Sequence, residues 1–151
     1  MLELGTSQGQ STRMMSHIFK HVYTVEWNDW NIEQAKQRCA GRDNITFIKA
    51  DLYGAPWDLP KTDVVFIDAG HEYEQVKLDI ENVIQHMDDP TYIFDDYGLP
   101  PGDVRRAILE KVNAGALRIN KFIGEQPEDL VHAAGTKFID TEGCICNLRS
   151  T

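Results

Sequence analysis

The chain has 151 residues, about one domain's worth, with 42% hydrophobic and 26% charged residues, a composition that excludes a disordered or fibrous protein. Lys and Arg total 15 against 24 Asp and Glu, a net charge of −9, so the surface repels phosphate backbones and anionic lipid. Neither a nucleic-acid partner nor a membrane partner is expected. Met1–Gly5 reads as a strand and Gln10–Phe19 as a helix with Met14, Met15, Ile18 and Phe19 near one face. His21–Trp27 alternates as a second strand, and Asn28–Ala40 is a helix with Asn28 as N-cap and Gly41 beyond its end. Ile45–Ala50 is a third strand. Asp63–Ala69, almost continuously apolar, is a fourth, of the kind buried on both faces. Tyr73–Met87 follows as a helix with Val76, Ile80, Val83 and Ile84 inward, then Thr91–Phe94 as a strand and Val104–Asn113 as a helix.

After Gly115 the alternation changes. Leu117–Ile123 and Lys137–Leu148 read as two strands joined by a polar loop over Gly124–Thr136, an antiparallel pair closing the sheet edge. The chain is thus one α/β domain, 1–151, with helices on both faces of a mostly parallel sheet. No stretch approaches the roughly 20 apolar residues of a membrane span, and the opening residues lack a secretory pattern. Cys39, Cys144 and Cys146 have no disulfide framework spacing; Cys144 and Cys146, two apart in a strand, point to one face as reduced packing residues. The expectation is a cytoplasmic protein.

In a sheet of this kind, ligands bind beyond the carboxyl ends of the strands. The first strand runs into Glu3-Leu4-Gly5-Thr6-Ser7-Gln8-Gly9-Gln10-Ser11-Thr12, where Gly5 and Gly9 allow a tight turn into the helix. A pyrophosphate at this turn would be repelled by Glu3, whereas an ammonium or sulfonium would offset its charge. The second strand ends at Glu26, placed to accept hydrogen bonds from two ribose hydroxyls, with Trp27 able to stack on a base. Asp51, past the third strand, can accept from an adenine amino group, although position alone also fits a turn-capping role.

These three acids at three successive strand ends resemble the class I S-adenosylmethionine-dependent methyltransferases: Glu3-x-Gly5-x-x-x-Gly9 resembles their first motif, Glu26 their ribose acid and Asp51 their adenine acid. The resemblance implies a doubly wound, Rossmann-like sheet of about seven strands and S-adenosylmethionine as cofactor, at a site comprising Glu3, Gly5, Thr6, Gly9, Ser11, Glu26, Trp27, Asp51 and Asp68. Ile67-Asp68-Ala69-Gly70-His71-Glu72-Tyr73 is similar to the Ile-Asp-Gly-x-His-x-Tyr signature of a bacterial-type subfamily. Phe94-Asp95-Asp96-Tyr97-Gly98 resembles the Asp-Asp-Tyr motif of metal-dependent sugar O-methyltransferases, and more distantly the catechol and caffeoyl-coenzyme A enzymes. That likeness implies Asp68, Asp95 and Asp96 as ligands of a divalent metal and His71 as catalytic base, with Asp68 shared by both sets.

The residues support the same chemistry independently. Three carboxylates converging on one rim need a cation or raised pKa values, and hard oxygen donors favour Mg²⁺, then Mn²⁺ or Ca²⁺. Histidine is the side chain whose ordinary titration lies nearest neutral pH, as a general base requires. The expected activity is methylation of a hydroxyl on a small-molecule acceptor. The alternative is a module that holds the cofactor without catalytic competence, because members of the superfamily carry covering helices before the first strand, which this sequence lacks. A nicotinamide dehydrogenase is disfavoured by Glu3. A homo-oligomer is compatible with the sequence.

Overall fold

The computed structural model describes residues 1–54, 57–100, 102–131 and 137–149, with the backbone alone over 125–131 and 137–140. Its elements in chain order are β1 (Leu2–Leu4), α1 (Gln10–Met15), β2 (Val22–Glu26), α2 (Asp29–Arg38), β3 (Ile45–Lys49), β4 (Val64–Ile67), α3 (Tyr73–His86), β5 (Thr91–Phe94), α4 (Asp103–Asn113), β6 (Leu117–Val131) and β7 (Lys137–Leu148). One seven-stranded sheet has the order β3-β2-β1-β4-β5-β7-β6. The pairs β1/β2, β1/β4, β2/β3 and β4/β5 are parallel, and β7 runs antiparallel to both β5 and β6. The doubly wound fold expected from the sequence is therefore present, and its strand order reverses between β1 and β4, where such sheets hold ligands.

Central strands are apolar because both of their faces are covered. Leu2, Leu4, Val25, Val65 and Ile67 pack into one core with Val76, Ile80 and Val83 of α3 and Val104, Ala107 and Ile108 of α4. Each of the Leu, Val and Ile side chains contributes about 1.5–3 kcal/mol by leaving water. The caps also follow from sequence: Asn28 accepts from the Asn31 amide at 3.2 Å and starts α2. Cys144 and Cys146 do face one side, with sulfurs 3.8 Å apart and both residues buried.

Three expectations are corrected. Helix α1 stops at Met15 and does not reach Phe19, because the Ser16 hydroxyl donates to the Arg13 carbonyl and the chain turns away. The periodicity therefore breaks: Met15 is buried, but Met14 and Ile18 are 55% and 67% exposed. The second helix ends at Arg38, two residues short of Ala40. The loop expected over Gly124–Thr136 is strand as far as Val131, pairing Asp129 with Ile139 and Val131 with Lys137; residues 132–136 lie outside the described residues. Backbone pairing there satisfies polar groups whatever the side chains are. Its register shift between Gly124 and Asp129 spans Pro127, which cannot donate to a ladder.

Candidate active site

The carboxyl ends of β1, β2, β3 and β4 surround an open cleft of about 570 Å³, lined by Gly5, Ser7, Glu26, Trp27, Asp51, Tyr53, Asp68 and Gly70 among others. The volume is within the range of about 300–1,000 Å³ usual for small-molecule sites. Gly5 makes the turn possible: its φ is +94°, and a Cβ there would lie 2.1 Å from the Asp68 carbonyl oxygen. The close approach of β1 to the end of β4 therefore brings Asp68 to the rim of the same cleft.

Glu26 is 8% exposed and held by three backbone amides: Ser7 donates to Oε2 at 2.9 Å, while Trp27 and Asn28 donate to Oε1 at 3.1 and 3.0 Å. These donors fix the carboxylate and leave one of its about four lone-pair sites, on Oε2, open. Ser7 itself adopts φ +47°, a left-handed conformation rarely taken by a non-glycine residue. Trp27 is 69% exposed at the cleft. Asp51 lines the cleft while its Oδ1 accepts from the Tyr53 amide at 2.9 Å, so it serves as turn cap and wall together.

Glu3 lies elsewhere. It is fully buried beneath the turn, with Oε2 accepting from Thr12 and Thr24 hydroxyls, each at 2.5 Å, and it does not line the cleft. Burial pushes its carboxyl above the usual range, opposed by the hydroxyls of Thr12, Thr24 and Ser11. The carboxyl that sequence reasoning set against a cationic ligand is thus held by hydroxyl donors beneath the turn. Thr6, 1% exposed, pairs its hydroxyl with Thr24 at 2.5 Å. Thr6, Gly9 and Ser11 shape the turn from behind and are not cleft walls.

At the other end of the cleft, His71 Nε2 stands 3.0 Å from Asp96 Oδ2 and 3.5 Å from Asp68 Oδ1. Donor atoms of Asp68, His71 and Asp96 all lie within 4.8 Å of one another. Asp95 falls outside that set, so two of the three expected ligands, Asp68 and Asp96, converge here beside His71. Asp96 has φ +56°, so the two adjacent aspartates at this strand end are turned differently. The next residue, Tyr97, is 3% exposed and donates its amide to the Glu142 carbonyl at 3.1 Å, anchoring the bend. The Asp68 carboxyl is pushed up to about 7 by burial and then by Asp95 and Asp96, with His71 opposing. Asp95 is raised as well, chiefly by burial. A cluster so perturbed, beside a cleft at a strand-order reversal, marks the candidate reacting site.

Sequence reasoning missed Ser7, Asn31, Tyr53, Gly70 and Gln75 as walls. Ser7 and Gly70 adjoin residues it did select and Tyr53 lies two beyond Asp51, whereas Asn31 and Gln75 reach the cleft from helices and left no local signal.

A family model described as a methyltransferase domain matches residues 2–97, from β1 through the Asp95-Asp96-Tyr97 bend. The chain belongs to this methyltransferase family. Among solved structures, it is similar to the N-methyltransferase NodS from Bradyrhizobium japonicum (TM-score 0.70, 15% identity, 99% of this chain and 85% of that one). Precorrin-6y C5,15-methyltransferase from Geobacter metallireducens is comparable (TM-score 0.70, 14% identity, 97% and 78%). So is Aeropyrum pernix fibrillarin, whose structure holds natively bound S-adenosyl-L-methionine (TM-score 0.66, 19% identity, 97% and 65%). At these identities the likeness is one of fold, the Rossmann-like methyltransferase fold. No curated protein matches the sequence.

Proposed function

We propose that this methyltransferase uses S-adenosylmethionine to methylate a hydroxyl of a small molecule at the Asp68–His71–Asp96 rim, with a divalent cation at that rim. The observation that carries the reading is Asp68 itself, which lines the cleft and also belongs to the cluster of two carboxylates and an imidazole. The cleft fits the cofactor by its chemistry: a nearly buried carboxylate at Glu26, apolar Val25, Ala50 and Leu52, and the exposed face of Trp27. The rim fits a hard cation, because Mg²⁺ commonly takes one or two carboxylates and keeps several waters. When bound, S-adenosylmethionine supplies an electrophilic methyl group and a divalent cation lowers the pKa of the acceptor hydroxyl.

The chain's own residues do the rest. Glu26 binds and orients the ribose, held rigid by the Ser7, Trp27 and Asn28 amides. Asp68 and Asp96 hold the cation. His71 Nε2, 44% exposed and flanked by both carboxylates, faces the rim and takes the acceptor's proton. A second reading has one observation in its favour: the donor distances admit His71 as a third ligand.

Methyl transfer to a panel of hydroxylated acceptors tests the proposal. Chelation should abolish turnover and His71→Ala should lower it about 10²–10⁴-fold, the usual range for a general base. Full turnover in chelator overturns the cation's part. If His71→Ala also removes the rise in melting temperature given by Mg²⁺, His71 is a ligand and the proton goes elsewhere.

A further inference from the structure

Helix α3 carries a buried stripe of Val76, Asp79, Ile80 and Val83, and Asp79 is the anomaly in it. It is 0% exposed in a stripe whose other members are all aliphatic. Its Oδ2 accepts from the Tyr53 hydroxyl at 3.2 Å, and its Oδ1 has no hydrogen-bond partner. Burial pushes this carboxyl up to about 7. A polar group placed in a core stripe with half its capacity unmet is destabilising, so its place is explained by what it holds.

What it holds is Tyr53. The same hydroxyl that donates to Asp79 accepts from the Gly70 amide at 3.0 Å. Tyr53 follows β3 in the turn capped by Asp51, while Gly70 lies between Asp68 and His71 in the loop after β4, and both residues line the cleft. The fit is close: a Cβ on Gly70 would lie 2.7 Å from the Tyr53 hydroxyl. One phenol thus ties the cleft's adenine-side turn to its acceptor-side loop, with its anchor inside the core.

We infer that Tyr53 is a positioning residue, latched by Asp79 and the Gly70 amide, that holds the cofactor turn and the acceptor rim in register. The inference rests on the cofactor reading given above. It assigns Asp79 a role through Tyr53 and not through the reacting atoms.

Four proteins test it: wild type, Tyr53→Phe, Asp79→Leu and Asp79→Asn, each titrated with S-adenosylhomocysteine by calorimetry and followed for Gly70 amide exchange without ligand. Tyr53→Phe and Asp79→Leu should weaken binding by about 3- to 10-fold, the worth of one neutral hydrogen bond, and speed Gly70 exchange. Asp79→Asn keeps an acceptor for the Tyr53 hydroxyl and should rescue both readouts. Asp79→Leu should melt no lower than wild type at pH 8, since it replaces a buried acid by an aliphatic residue in an aliphatic stripe. Wild-type affinity and wild-type Gly70 exchange in Tyr53→Phe overturn the latch. So does a loss in Asp79→Leu that Asp79→Asn shares and that tracks a fall in melting temperature. Wild type that fails to bind S-adenosylhomocysteine refutes the cofactor reading instead, and Gly70 exchange in Tyr53→Phe still decides the latch.

Discussion

Asp79 makes the protein's stability depend on pH in a direction opposite to ordinary acid denaturation. In the folded chain its carboxyl is raised from 3.8 to about 7, because burial removes water and only Tyr53 donates to it. Below pH 3.8 the group is protonated in both states and its stabilising contribution is complete. As pH rises above that value the unfolded chain releases the proton while the folded chain keeps it, so stability falls by about 1.4 kcal/mol per pH unit until the folded group ionises near 7. Between pH 5 and pH 8 the loss amounts to roughly 2–3 kcal/mol for this one residue. Asp68, also raised to about 7, and the raised Glu3 and Asp95 act in the same direction, so wild type alone cannot isolate the effect. Asp79→Asn can. The substitution is isosteric and neutral, and any packing or hydrogen-bond offset it introduces is independent of pH. Urea unfolding of both proteins at pH 5, 6.5 and 8 should show the variant gaining on wild type by roughly 2–3 kcal/mol across the series. Parallel stability curves for the two proteins would refute the reasoning, because they would mean that the buried carboxyl titrates alike in the folded and unfolded chain.

Glu26→Ala removes an acceptor that three amides hold in place, and S-adenosylhomocysteine affinity measured by calorimetry should fall by about 1.5–3 kcal/mol, or roughly 10- to 150-fold. Unchanged affinity with the fold intact would remove Glu26 from the ribose. Gly5→Ala forces a Cβ against the Asp68 carbonyl and a side chain into φ +94°, so a loss above about 4 kcal/mol is expected by urea unfolding. Mg²⁺ should raise the melting temperature of wild type but not of Asp68→Ala or Asp96→Ala, whereas Asp95→Ala should retain most of the shift because Asp95 lies outside the donor set.

How far the sequence carried this reading differs between scaffold and site. Strand positions were legible because buried parallel strands are written as apolar runs, as in Val64–Ile67, and because Asn28 and the glycines punctuate the helices. The extension of β6 through Gly124–Val131 was not, since a long-range ladder can carry a polar segment that has no periodicity of its own. Glu26, Asp51 and Asp68 could be placed on the cleft wall because strand ends converge in any sheet of this kind. Glu3 was misplaced beneath the cleft for a related reason: alternation along a strand decides which face a side chain takes, and three hydroxyls on neighbouring elements, invisible as a local pattern, were waiting for it. That Asp96 and not Asp95 faces His71 follows one left-handed residue, Asp96, and backbone sign at a single position leaves no mark in composition or spacing. Asp79 was hidden inside a helical stripe that read as core.

The proposed cofactor site is the cleft at the ends of β1, β2, β3 and β4, with the methyl group toward the acidic rim. Calorimetric titration of wild type with S-adenosylhomocysteine, with and without Mg²⁺, tests it most directly and needs no knowledge of the acceptor. One-site binding that persists without Mg²⁺ is expected, because the proposed ribose and base contacts fall to Glu26, Trp27 and Asp51 on the cleft wall while the proposed cation sits at the rim. No binding under either condition, or preferential binding of a nicotinamide dinucleotide, would contradict it.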